Sequence, residues 1–146
     1  MQKKKLSKEI KLITGSHTRL PDKEKYDVIF LNTVLSSIYD EDKRLDILRI
    51  LTKKLNKNGI ILIFDFIVNN PKNSFTRRLD YKKIFKTFYH FEIKKNKVIL
   101  APLISRILYK FGLPTGIIFE FIPILRFLYT HICILIKKKK IFKSSI

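Results

Sequence analysis

An α/β fold organised on a parallel strand–helix–strand unit is what residues 26–66 predict, on three observations. Two short apolar runs, Tyr26-Asp27-Val28-Ile29-Phe30-Leu31 and Ile60-Ile61-Leu62-Ile63-Phe64, have the length and branched character of strands buried on both faces. Between them Leu45, Leu48, Leu51 and Leu55 recur at three- and four-residue spacing, which gives a helix one apolar face. The punctuation agrees with both. Asn32-Thr33 ends the first run, and Asp40-Glu41-Asp42 supplies an N-cap and an acidic first turn. Lys53 and Lys54 complement the last turn, and Asn58-Gly59 is expected to stop the helix in the left-handed conformation. The second run closes on Asp65-Phe66. Two strands joined by a helix lie parallel, as a crossover unit.

The flanking elements follow in chain order. Lys11-Leu12-Ile13-Thr14 reads as a strand, with Gly15-Ser16-His17 as the loop behind it. Asn69-Asn70-Pro71 marks a loop leaving the second core strand. Tyr81 to Phe88 is expected to be a helix that turns Ile84, Phe85 and Phe88 to the sheet. His90 to Leu100 reads as a strand, with Lys94 to Lys97 a local turn inside it. Leu103 to Leu128, punctuated by Pro114, Gly116 and Pro123, predicts two short helices, and Tyr129 to Ile136 the last strand. In open α/β sheets ligands bind beyond the carboxyl ends of the strands. Residues 32–35 and the pair Asn69 and Asn70 are therefore the expected site positions.

A chain of 146 residues is expected to form one domain, 1–146, with a true hydrophobic core. Cys133 is the sole cysteine and sits in an apolar run, so it reads as a buried thiol and no intrachain disulfide exists. The formal charge of +19 invites a polyanion partner. The lysines are dispersed, however, with runs only at the two ends, and arginines paired with aromatics in one patch are missing; a nucleic-acid partner is not favoured. An anionic membrane surface, approached through Lys137–Lys140, stays as an alternative partner. A spanning helix over 113–136 is opposed by Glu120, Pro123, Arg126 and His131, since each charged group at mid-bilayer costs about 2.5–3.5 kcal/mol. The opening residues 1–9 are basic without an apolar stretch, unlike a secretory signal, and a cytoplasmic location is expected. Three histidines and one cysteine lie far apart without ligand spacing, so no metal is expected.

Several segments together resemble one family. Leu20-Pro21, Tyr26-Asp27-Val28-Ile29, Asn32-Thr33-Val34-Leu35 and Leu55-Asn56-Lys57-Asn58-Gly59-Ile60-Ile61-Leu62-Ile63 look like the middle of a class I S-adenosylmethionine-dependent methyltransferase. Lys57 stands where that family often has proline, and Asn58 replaces its first glycine. Asp65-Phe66-Ile67-Val68-Asn69-Asn70-Pro71-Lys72-Asn73, Ala101-Pro102-Leu103-Ile104-Ser105-Arg106, Leu125-Arg126 and Thr130-His131 are similar to a small-molecule or sugar methyltransferase subgroup. The resemblance runs from about Ile10 to Lys137.

This resemblance implies a partial Rossmann-like sheet with the first two strands missing. It implies an α/β core over 10–100, a helical lid insertion over 101–128 and a last strand over 129–137. The family's glycine-rich cofactor turn has no counterpart among Gly15, Gly59, Gly112 and Gly116. An N-terminally truncated member is therefore expected, whose first core strand exposes an unpaired edge. S-adenosyl-L-methionine is the implied cofactor, with Gly15, Ser16 and His17 on its adenine side and Asn32, Thr33 and Val34 in the loop after the next strand. The implied reaction is methyl transfer to a small-molecule acceptor, a saccharide or its precursor among the candidates. Asn69, Asn70, Arg106 and Arg126 are the substrate-binding candidates, the arginines through a phosphate or carboxylate. His131 is the candidate proton acceptor. A completing methyltransferase chain is the second expected partner, and a non-enzymatic companion or a basic polyanion-binding protein are the alternative functions.

Overall fold

The computed structural model describes residues 20–21, 23–69, 73, 75–100, 102–112 and 128–139. Four strands form one mixed sheet: β1 (Tyr26–Asn32), β2 (Leu55–Phe66), β3 (Phe91–Leu100) and β4 (Tyr129–Lys138), in the order β1-β2-β4-β3. β1 runs parallel to β2, while β4 is antiparallel to both β2 and β3. Helix α1 (Glu41–Lys53) makes the β1–β2 crossover after a 3-10 turn at Leu35–Ser37. Helix α2 (Tyr81–Thr87) precedes β3, and α3 (Pro102–Lys110) follows it. The expected strand at 11–14 and the second half of the expected lid lie outside the described residues.

Register explains the core. Ile61 pairs with Ile136 and Ile63 with Ile134, so alternate residues of β2 and β4 share one face with Leu31 of β1. Leu45, Leu48 and Leu51 of α1, together with Ile84 and Phe88, close over that face, and all of them are buried. The leucine spacing thus faces the sheet as expected. Asp40 caps α1 by accepting from the N–H groups of Asp42 (2.9 Å) and Lys43 (3.2 Å). Asp80 caps α2 in the same way, through Lys82 and Lys83.

Three sequence expectations are corrected. The helix ends at Lys53, where the Lys54 N–H closes on the Leu51 carbonyl at 3.0 Å, well before Asn58-Gly59. Leu55 belongs to the strand and not to the helical stripe. Asn58-Gly59 has no left-handed backbone; Thr33, Ile99 and Gly112 are the positive-φ residues described. Instead, Tyr26 pairs with Leu55 and Val28 with Ile60, so 56–59 form an irregularity at the start of β2. Glycine serves close approach there, because a Cβ on Gly59 would lie 2.7 Å from the Tyr26 carbonyl oxygen. Finally, Lys94–Lys97 is continuous strand paired with residues 132–135 of β4, not a turn. The ladder partner outweighs the polar composition.

Among the described residues β1 has one neighbour, β2, and its other edge is unpaired. Val28 and Phe30, on the face away from α1, are 56% and 60% exposed. No helix among the described residues is long and apolar enough to cross a membrane.

Candidate functional site

β2 and β3 are both antiparallel to β4, so the carboxyl ends of β1, β2 and β3 lie at one end of the sheet. The connections 33–40, 67–80 and 101–128 all leave from this end. Asn32, Thr33 and Val34 end β1, Asn69 follows β2, and His131 enters β4 opposite Phe66. The topology thus gathers these five predicted residues at one end of the sheet. Arg106 is exposed on α3, the helix that follows β3. Gly15, Ser16, His17, Asn70 and Arg126 lie outside the described residues.

The loop after β1 is strained and braced. Thr33 has φ +53°, a left-handed conformation that a β-branched residue rarely takes. It is held by its own N–H, which donates to the Phe64 carbonyl at 2.8 Å and carries the parallel ladder one residue further. Its hydroxyl donates to the Asn32 carbonyl at 2.8 Å. Asp65, fully buried, accepts at Oδ2 from the N–H groups of Leu35 (2.9 Å) and Ser36 (3.1 Å). Its Oδ1 accepts from the Phe66 N–H at 2.9 Å. One carboxylate therefore fixes the turn after β1 to the end of β2. Sequence reasoning passed over Asp65 as a site residue. The available signal was an acidic side chain closing an otherwise apolar strand.

A second brace comes from Arg44, buried on α1. Its Nε donates to the Ile38 carbonyl (2.6 Å) and its Nη1 to the Arg78 carbonyl (3.0 Å). Burial lowers the Arg44 pKa, and the carboxylates of Glu41 and Asp65 work against that shift. The post-β2 loop is tied on as well: the Arg77 N–H donates to the Ser36 carbonyl at 2.9 Å, and the Arg78 N–H to Asn69 Oδ1 at 2.9 Å. The Arg77 guanidinium stands 4.4 Å over the Tyr39 ring, a cation–π contact between the two loops. Nothing in the helical spacing separated Arg44 from the exposed cations around it.

His131 is buried at the entrance to β4. Its ring stacks on Phe64 (5.1 Å between centroids) and packs at a tilt on Phe66 (4.2 Å). Nδ1 lies 2.8 Å from the Thr130 hydroxyl. Burial pushes its pKa below the usual histidine value, and Asp65 opposes that shift in part. A neutral imidazole at neutral pH follows. Cys133 is half-buried on β4 and forms no disulfide. No cluster of three metal-ligating side chains occurs among the described residues. A cavity of about 480 Å³ lined by Arg49, Lys53, Phe88, Phe91 and Lys138 opens at the opposite end of the sheet.

No protein-family model matches the chain, and no curated protein sequence does. Solved structures do match. One, described as "StiE O-MT residues 961-1257", is 14% identical with a TM-score of 0.52, over 98% of this chain and 54% of that one. Another is the plantazolicin methyltransferase BpumL in complex with a monoazolic desmethylPZN analog and SAH, 15% identical with a TM-score of 0.50, over 87% of this chain and 58% of that one. The chain spans between half and three-fifths of the length of these structures. The architecture is that of a partial Rossmann-like class I methyltransferase sheet with a helical insertion, as the sequence resemblance implies.

Proposed function

We propose that the chain forms the acceptor side of an S-adenosyl-L-methionine-dependent methyltransferase that acts on a small molecule. The observation that carries this reading is the braced, left-handed Thr33 at the carboxyl end of a parallel strand. Such a conformation persists only where surroundings over-determine it, and such residues cluster at ligand sites. Two solved structures of the same architecture are described as methyltransferases.

The cofactor supplies a methyl group already activated on a sulfonium. One side of it is assigned to the strand end, where Asn32 and Val34 are exposed and the Asp65 brace holds the turn at Leu35 and Ser36 that follows them. Gly15, Ser16 and His17 complete the adenine side in this reading. The chain's own work is alignment and exclusion of water. Asn69 uses its carbonyl on the Arg78 N–H, so its amide nitrogen is left to donate to the acceptor. Asn70, Arg106 and Arg126 are assigned to the same acceptor, the arginines toward a phosphate or carboxylate on a saccharide-type molecule. His131 would accept the proton that the acceptor's hydroxyl or amine gives up as it is methylated.

A specific observation favours a companion arrangement within this reading. The outer edge of β1, unpaired among the described residues, offers a place for a further strand, and the exposed Val28 and Phe30 an apolar face to cover, so a completing methyltransferase chain is proposed as partner. Calorimetric titration of the pure chain with S-adenosylhomocysteine tests the proposal. Saturable heat that weakens in Asp65→Asn supports a self-sufficient binder. Absence of heat removes the self-sufficient enzyme and leaves the companion role, which then requires binding to appear with the completing chain.

A further inference from the structure

Two β-branched residues at the site end have positive φ, Thr33 just past one outer strand and Ile99 (φ +61°) on the other. Ile99 falls between the pairs Val98↔His131 and Leu100↔Tyr129, opposite Thr130. Its carbonyl oxygen lies 3.3 Å from the Thr130 hydroxyl oxygen. The same hydroxyl is 2.8 Å from His131 Nδ1. The two contacts are hydrogen bonds at once in one arrangement only. A backbone carbonyl only accepts, and a threonine hydroxyl has one proton to give. With that proton directed to Ile99, the hydroxyl receives from His131, and Nδ1 must carry a hydrogen. Nε2 is then left with the lone pair. The rings of Phe64 and Phe66 pack against the imidazole and hold its plane.

We propose that Thr130 is a positioning residue that holds His131 as the Nδ1–H tautomer, with Nε2 as the proton acceptor, through a relay ending on the Ile99 carbonyl. The consequence for methyl transfer rests on the function proposed above; the tautomer itself does not. A neutral histidine side chain in water favours hydrogen on Nε2, so the relay reverses the ordinary preference. The left-handed Ile99 has a role in this arrangement, because its backbone presents the terminal carbonyl to Thr130. Thr130 is assigned no contact with donor or acceptor. It acts through the ring.

Long-range proton–nitrogen correlation spectra of the nitrogen-15-labelled full chain, above the His131 titration, read the tautomer directly, with His131→Gln assigning the signal. The expected wild-type result is a pyrrole-type shift at Nδ1 and a pyridine-type shift at Nε2. Thr130→Val, which keeps shape and removes the hydroxyl, should return the ring to mainly Nε2–H; Thr130→Ser should preserve the wild-type pattern. If Thr130→Val fails to fold, the wild-type and Thr130→Ser spectra still decide. A wild-type Nε2–H ring, or a folded Thr130→Val chain with an unchanged tautomer, overturns the proposal. In a transfer assay Thr130→Val should lower kcat about tenfold or more with KM for the methyl donor unchanged. Equal loss in KM, or no loss, overturns the positioning role. Failure of wild-type transfer alongside the expected spectra refutes the proposed function while leaving the relay in place.

Discussion

Replacing Asp65 by alanine is the substitution whose cost the geometry fixes best. The side chain is fully buried and accepts from three backbone N–H groups. Two of the donors belong to Leu35 and Ser36, both fully buried residues. Alanine leaves both without a partner, and a buried unsatisfied donor costs about 1–3 kcal/mol. The sum is about 2–6 kcal/mol, a large share of the roughly 5–15 kcal/mol that holds a domain of this size. Asp65→Asn keeps the shape and one carbonyl oxygen, so it should lose less, about 1–3 kcal/mol. Urea titrations followed by circular dichroism, with the slope compared between variants, give these differences. The loop should also loosen selectively, so amide exchange at 33–38 should rise in Asp65→Asn before exchange in α1 does. An Asp65→Ala chain within about 0.5 kcal/mol of wild type would refute the brace, since exposed positions shift stability by that much.

Gly59→Ala places a methyl group 2.7 Å from the Tyr26 carbonyl and must part β1 from β2 there; denaturant titration should show a loss of about 1–3 kcal/mol. The His131 pKa is lowered on folding, so the unfolded chain binds that proton more readily. Stability should be full above about pH 6.5 and fall as pH drops from there through the lower folded value, by at most about 1.4 kcal/mol per pH unit. His131→Phe should remove this part of the slope, which the wild-type minus variant difference isolates. Val28→Thr with Phe30→Thr should reduce self-association of the pure chain in sedimentation velocity without lowering its thermal midpoint, because neither side chain belongs to the buried core.

The parallel unit was legible in the sequence because its parts act locally. Strand runs, the spacing of Leu45, Leu48 and Leu51 and the Asp40 cap each depend on neighbours a few residues away, and these fold as read, although Val28 and Phe30 leave one face of the first strand exposed and Leu55 falls in the second. Misreadings arose where a distant partner decides. Asn58-Gly59 looks like a helix stop, but the glycine is required by the Tyr26 carbonyl across the sheet. Lys94–Lys97 looks like a turn until β4 supplies the opposing ladder. The site shows the same division. Asn32, Thr33 and Asn69 stand at strand ends as read, because strand ends are visible in an apolar pattern. Asp65 and Arg44 were missed because their partners, at Leu35, Ser36, Ile38 and Arg78, are named only by the folded backbone.

The central claim is that a methyl donor meets this chain at the carboxyl ends of its parallel strands. Amide chemical-shift mapping during titration with S-adenosylhomocysteine, which registers even millimolar binding, tests it most directly. Shifts concentrated at 32–38 and 65–69, with the residues lining the cavity near Lys138 unmoved, are the predicted result. Shifts confined to that opposite cavity, or none at any attainable concentration with the completing chain present, would contradict it.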